Sequence, residues 1–322
     1  RPQYIKKPKK IKAAQKNNSA LVVFSVMAIA GYPADDLWLV PDFSHQCQKC
    51  LEKICPYTTS MMVIVGLPRQ EKQRNKTLTY NSAAVMIDGR LIGWQDKLLL
   101  PTYDVFDERR YFAPGTKQTI FSWKDKKIGI LICEDMWCQY SEEGQYYPSD
   151  PLTFFHQKNL DLLVNIAASP YYKNKELLRH QVCQAAANRV GAPVICCNQV
   201  GGNDALIFDG QSSYTTSQGA VVATPFLEKL FYIDTASFQP KPREKLAPET
   251  EVLTALTLGV RDYFHKQGFK KAVLGLSGGI DSALVAYIAV KALGKEHVTA
   301  LFLPSRFSSH NSLQDATTIA NN

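Results

Sequence analysis

Long hydrophobic runs are missing from this sequence. A bilayer-spanning helix needs roughly 20 consecutive apolar residues, and runs such as Leu160–Ile166 are far shorter, so no membrane partner is expected. No charged start leads into an apolar core and a small-residue cleavage site, so no secretory signal is expected either. Position 1 is Arg and not Met, so the chain need not begin at a natural start. Acidic residues are absent from the first sixteen positions, where Arg1, Lys6, Lys7, Lys9, Lys10, Lys12 and Lys16 stand. These seven account for all but one unit of the net charge of +8. The excess reads as a local basic arm and not a binding face. No recognition motif accompanies it, which argues against a nucleic-acid partner. A second pair of metal-ligand cysteines is also lacking. Cys47 and Cys50, near His45 and Cys55, form one pair, and a structural zinc site usually needs two. Cys47, Cys50, Leu51 and Ile54 lie three or four apart, the spacing of a helix's buried face. The eight cysteines fall mostly inside apolar runs, which suggests reduced thiols in a cytoplasm.

What is present suits a globular chain of two domains, with 322 residues, 45% apolar and 20% charged. Strand candidates are 21–24, 61–66, 81–87, 91–97, 127–133, 160–166, 193–198, 211–216 and 220–224. Helices are expected at 43–55 and 176–190, where apolar residues recur at helical spacing. Adjacent strand pairs mixed with helices point to layers of sheet and helix. Residues 237–249 hold three prolines among charged residues and read as a linker. Domains are therefore expected at 1–236 and 250–322. The second opens with a helix near 250–266, a strand at 271–276, a glycine turn, a helix and a strand at 298–303. That is the start of a parallel α/β sheet, and one such unit cannot bury both sheet faces, so this domain reads as incomplete.

The segment Ser277-Gly-Gly-Ile-Asp-Ser282 follows an apolar strand. Gly278 and Gly279 let the backbone approach an anion. The helix start offers free N–H groups and its positive dipole end to a phosphate. Ser277 and Ser282 add hydroxyls, and Asp281 supplies a carboxylate that can hold Mg²⁺. There is no Lys of the Walker pattern. The segment resembles the signature of the PP-loop ATP pyrophosphatases, which split ATP between its α and β phosphates. That resemblance implies pyrophosphate binding by Ser277, Gly278, Gly279, Asp281 and Ser282. Residues 304–309 resemble the segment after the next strand in NAD⁺ synthetases, which implies that Arg306 approaches the nucleotide.

Lys97 and Cys133 each end a strand. A cysteine there can act as a nucleophile on a sharp turn, and a neighbouring ammonium can stabilise its thiolate and an oxyanion. Taken singly, Cys133 reads as a core cysteine and Lys97 as a solvated charge. Residues 97–115, 129–137, 165–179 and 198–212 together resemble the glutaminase domain of glutamine-dependent NAD⁺ synthetases, whose wider relatives are the nitrilases. The resemblance implies a nitrilase-type α-β-β-α sandwich followed by a truncated doubly wound parallel α/β domain. It makes Cys133 the nucleophile and Lys97 the oxyanion stabiliser, with Glu108 as a second glutamate supporting the triad. Tyr103, Ser169 and Lys175 fall in segments that shape the glutamine pocket.

The triad glutamate is expected in a segment like FPELALTGYP, and here residues 24–33 read FSVMAIAGYP. Val26 stands where the glutamate belongs. The substitution leaves Lys97 without a carboxylate partner and removes the general base, a loss of about 10²- to 10⁴-fold in rate. The family's first strand is not recognisable in residues 1–20. The implied reaction joins glutamine hydrolysis to ATP-dependent amidation of nicotinic acid adenine dinucleotide, with Mg²⁺, in a cytoplasmic homo-oligomer. As written, the chain is expected not to complete it. The competing readings are a stand-alone nitrilase-type amidase, another PP-loop ligase, and a non-catalytic or fragmentary relative serving as an oligomerisation partner.

Overall fold

A computed structural model describes residues 7–74, 76–140, 147–304 and 310–322. The chain divides into two compact units, one of residues 1–200 and 208–244, the other of residues 201–207 and 245–322.

The first unit carries two sheets. In one, β1 (Leu21–Val23), β2 (Met62–Gln73), β3 (Lys76–Ile87) and β4 (Arg90–Asp96) lie in sequence order. β1 runs parallel to β2 with Leu21 opposite Met62, and the others are antiparallel. The other sheet has six strands: β5 (Ile120–Trp123), β6 (Lys126–Ile132), β7 (Leu162–Ala167), β8 (Val194–Asn198), β11 (Ser213–Thr216) and β12 (Gly219–Val222). Their order is β12-β11-β8-β7-β6-β5, with β6, β7 and β8 parallel. Between β8 and β11 the short β9 (Val200–Asn203) and β10 (Leu206–Asp209) pair with each other. α2 (Pro41–Ile54) covers the first sheet, burying Cys47, Cys50, Leu51 and Ile54. That is the face expected from their spacing, and burial pushes the Cys47 thiol up to about 12. Among the described residues no group of three metal-ligating side chains occurs. α4 (Lys175–Val190) packs on the second sheet through Val182, Cys183 and Ala186. α3 (Leu152–Phe155) is a single turn. The layers are thus helix, sheet, sheet, helix.

The lysine-rich start does not behave as a free basic arm. Residues 7–16 form α1, which buries Ile11 and Ala14 in the core of the first sheet. Burying one such isoleucine contributes about 1.5–3 kcal/mol. The lysines ride on the outer face, and their stems still pack, with Lys7 Nζ 5.1 Å from the Phe24 ring centroid and Lys12 Nζ 4.8 Å from that of Tyr57. The sequence reading missed this helix because two apolar residues among lysines give little periodicity. It also missed β5 and the β9–β10 hairpin.

The second unit holds α5 (Pro248–Gln267), β13 (Ala272–Gly275), α6 (Ile280–Leu293), β14 (Val298–Leu301) and α7 (His310–Asn321). β13 and β14 pair in parallel, with Ala272 opposite Val298. Pro248 begins α5, where a missing N–H costs nothing. Val273, Ile280 and Leu303 are 66%, 81% and 77% exposed. Among the described residues no helix is long and apolar enough to cross a membrane.

Candidate active sites

In the first unit Lys97 directly follows β4, and Cys133 directly follows β6 with a left-handed φ of +49°. A non-glycine residue rarely adopts that conformation, and here it turns the nucleophile candidate sharply off the strand end. The two turns are tied by Asp135. Its Oδ1 accepts the Leu98 and Leu99 N–H groups at 3.0 and 2.8 Å, and its Oδ2 accepts the Ile132 N–H at 3.1 Å. One buried carboxylate therefore fixes the residue after Lys97 against the residue before Cys133. Burial pushes the Asp135 carboxyl up to about 7, against three N–H donors that pull the other way.

Lys97 is 2% exposed, so it is not a solvated charge. Its Nζ donates to Glu108 Oε2 at 2.6 Å. This corrects the expectation that Val26 leaves Lys97 without a carboxylate. The other Glu108 oxygen accepts the Tyr32 hydroxyl at 3.0 Å and the Asn81 amide at 3.5 Å. Burial pulls the Lys97 pKa down, but Glu108, the Cys133 thiolate and Glu134 more than offset it, so the ammonium is held charged. The Cys133 thiol, 9% exposed, is pushed up to about 11 by burial. Lys97 and a hydrogen bond from the Ala168 N–H oppose that rise, while Glu134 and Glu108 add to it.

Val26 is 2% exposed and closely packed. A Cβ added at Gly66 of β2 would come within 2.6 Å of the Val26 Cα. Tyr103 donates to both Glu134 oxygens at 2.9 and 3.0 Å, and Tyr147 donates to Oε1 at 3.0 Å. Glu134, 4% exposed, is thus a buried carboxylate next to the nucleophile. The Ser169 N–H donates to Asn198 Oδ1 at 2.8 Å, and its buried hydroxyl has no partner among the described residues. Lys175, at the start of α4, lies 4.8 Å from the Trp137 ring centroid and 4.6 Å from that of Tyr172. The structure thus brings Lys97, Glu108 and Cys133 together and joins Tyr103 to them through Glu134. Sequence reasoning missed Glu134, Asp135 and Asn198. The run Cys-Glu-Asp places two acids beside a cysteine at a strand end, and that was the available signal for the first two.

In the second unit the turn between β13 and α6 is held by its serines. The Ser277 N–H donates to Ser282 Oγ at 3.2 Å, the Gly279 N–H to Ser277 Oγ at 3.3 Å, and Ser282 Oγ to the Gly279 carbonyl at 2.9 Å. Gly278 has φ +85°, and a Cβ there would lie 2.6 Å from the Ser312 carbonyl of α7. The first-turn amides of α6 have no intrahelical partner and sit at the positive end of its dipole. Asp281 stands exposed in that turn. Arg306 lies outside the described residues. One carboxylate beside an anion cradle fits Mg²⁺, which takes one or two carboxylates and completes its shell with phosphate oxygens and water.

Two family models match, carbon-nitrogen hydrolase over residues 3–233 and NAD synthase over residues 252–322. The chain is 43% identical over 323 residues to a glutamine-dependent NAD(+) synthetase of Synechocystis, covering 96% of this chain and 58% of the relative. One from Thermotoga maritima is 34% identical over 351 residues, covering 97% and 59%. The chain thus spans less than two thirds of these relatives. Among solved structures, a glutamine-dependent NAD+ synthetase of Acinetobacter baumannii in complex with ADP superposes with a TM-score of 0.86 at 34% identity, over 98% of this chain and 59% of that one. An amidase of Nesterenkonia sp. superposes with a TM-score of 0.55 at 16% identity, over 68% of this chain and 82% of the amidase, which shows a shared fold. The chain belongs to the carbon-nitrogen hydrolase family and carries that domain ahead of an NAD synthase segment, in the order of the glutamine-dependent NAD(+) synthetases.

Proposed function

We propose that the first unit is a glutamine amidohydrolase whose ammonia serves ATP-dependent amidation of nicotinic acid adenine dinucleotide, the reaction of a glutamine-dependent NAD⁺ synthetase. The observation that carries the glutaminase half is the juxtaposition of Cys133, at a left-handed strand end, with the buried Lys97–Glu108 pair at 2.6 Å. Cys133 sulfur attacks the amide carbon of glutamine. The Lys97 ammonium balances the oxyanion, the thiol proton passes to the amide nitrogen so that the C–N bond breaks and ammonia leaves, and water then releases glutamate from the thioester and returns a proton to sulfur. Glu108 keeps Lys97 charged. Tyr103, Ser169 and Lys175 line the amino-acid pocket, and the buried Glu134 carboxylate suits an α-ammonium.

In the second unit Ser277, Gly278, Gly279 and Ser282 would cradle the pyrophosphate of ATP, with Arg306 beside the nucleotide. Asp281 would hold Mg²⁺, which when bound neutralises phosphate charge. The dinucleotide carboxylate is adenylated there, and ammonia displaces AMP. Domain limits at 1–236 and 250–322, a homo-oligomer and a cytoplasmic location belong to the same reading.

A second reading, a relative with a silent glutaminase, is favoured by one observation: an apolar residue, Val26, stands in the segment where the resemblance places the acid–base glutamate. The test is trapping with 6-diazo-5-oxonorleucine, a glutamine analogue that alkylates the nucleophile. A single adduct on Cys133, lost in Cys133→Ala together with ammonia release, is the expected outcome. An adduct elsewhere, or ammonia release that survives Cys133→Ala, would reject the assignment.

A further inference from the structure

We propose that Asn198 is a positioning residue for Cys133: its side-chain amide brackets Ser169 and so holds the preceding Ala168 N–H against the Cys133 sulfur. The strands set up this relation. β6 pairs with β7 with Ile132 opposite Ile166, and β7 pairs with β8 with Ala167 opposite Asn198. Cys133, Ala168 and Asn198 therefore leave three adjacent parallel strands at the same end. The Asn198 Oδ1 accepts the Ser169 N–H at 2.8 Å, and its Nδ2 reaches the Ser169 carbonyl at 3.4 Å. With Ile132 opposite Ile166, Cys133 and Ala168 leave neighbouring strand ends, and the Ala168 N–H acts on the Cys133 sulfur to lower its pKa.

Asn198 does not hold this geometry alone. Its Nδ2 also donates to the Gly210 carbonyl at 2.9 Å and approaches Asp209 Oδ1 at 3.4 Å. Arg179 of α4 pairs with Asp209, Nη2 to Oδ1 at 3.0 Å, and its Nη1 donates to the Gly210 carbonyl at 3.2 Å. Arg179, Asp209 and Asn198 are 2%, 1% and 5% exposed. A buried ion pair of this kind is weak evidence for stability; as part of a hydrogen-bonded buried network it rigidifies the groups it bonds. Gln211 Nε2 also donates to Asp209 Oδ2 at 2.7 Å, so the pair is held from both sides, and it meets the Asn198 amide at Asp209 Oδ1 and at the Gly210 carbonyl. In water a flexible loop amide would be as well solvated as bonded. Here the amide is fixed before the reaction and costs no reordering when sulfur becomes charged.

The proposal rests on the reading of Cys133 as the nucleophile, and its test observes the thiol directly. Asn198→Ala is compared with the unmodified chain by the rate of Cys133 alkylation with iodoacetamide from pH 7 to 10, resolved by mass spectrometry. Cys47 of α2, buried in the other sheet's core, is the internal control. The substitution frees Ser169 and lets the Ala168 N–H swing off the sulfur; losing that one bond to the thiolate raises the thiol by about one pH unit, so the Cys133 rate falls about tenfold at each pH. A merely structural role gives the opposite sign, because loosening exposes a cysteine that is 9% accessible and speeds its reaction. Asn198→Ser keeps a polar group for the Gly210 carbonyl but falls short of Ser169. It carries the same expectation and decides the matter if the alanine variant does not fold. A Cys133 rate that is unchanged or increased in a folded variant overturns the proposal. Ammonia release is measured separately. Its absence alongside a tenfold slower alkylation would reject the glutaminase reading and leave the positioning role standing.

Discussion

Replacing Glu108 with Gln keeps the side chain's shape and removes only the charge opposite Lys97. The pair lies at 2.6 Å, with side chains 2% and 5% exposed. At an effective dielectric of 20 the Coulomb attraction is about 6 kcal/mol. Desolvation absorbs part of that gain, but breaking such a pair still costs about 3–5 kcal/mol, because one charge is left buried alone. In the unmodified protein the folded Lys97 pKa is raised. Its stabilisation is therefore complete below the unfolded value, near 10.4, and is lost only as the pH rises through the higher folded value. In Glu108→Gln the sign reverses. Burial without a partner pushes the folded value below the unfolded one, so the penalty is largest at low pH. It shrinks with rising pH by at most about 1.4 kcal/mol per unit. Urea unfolding followed by tryptophan fluorescence reports on the first unit alone, because Trp38, Trp94, Trp123 and Trp137 all lie there. The variant is expected to lose about 3–5 kcal/mol at pH 7 and less at pH 9. A loss below about 1 kcal/mol, the ordinary worth of a surface pair, or one that is equal at both pH values, would refute the reasoning.

Val26→Glu is expected to raise glutamine turnover by at least about 10²-fold by supplying the missing proton carrier. At pH 7 a thiol pushed up to about 11 is only about one part in 10⁴ thiolate. Steady-state ammonia release measures the gain, and equal rates in both forms would show that another residue already serves. Asp135→Asn leaves at least one of three buried N–H groups without an acceptor. It should cost about 1–3 kcal/mol in the same urea assay, whereas an unchanged midpoint would remove Asp135 as the tie between the two turns. In the second unit, Gly278→Ala meets both a φ of +85° and the Ser312 carbonyl at 2.6 Å. Calorimetric titration with Mg²⁺ and pyrophosphate should show affinity reduced about tenfold or more, consistent with strain of about 1–2 kcal/mol at a left-handed position. Undiminished binding would mean that the turn is not the anion site.

The strands that flank Cys133 and Lys97 were legible from local pattern. Short apolar runs such as Ile128–Ile132 and Leu162–Ile166 bury on both faces wherever they fold, and α2 and α4 repeat their apolar residues every three or four positions. The glycine turn before α6 was legible for the same reason, since positive φ and a helix start depend on adjacent residues alone. α1 was not, because Ile11 and Ala14 gain nothing until the sheet beneath them exists. The partnership of Lys97 with Glu108 spans eleven residues, that of Glu108 with Tyr32 seventy-six, and that of Asp135 with Leu99 thirty-six. None of these pairings has a sequence period. A lysine beside leucines reads as a solvated charge until the fold removes its water. Then the cost of leaving that charge alone, and not any preference of the chain, selects the carboxylate that must meet it.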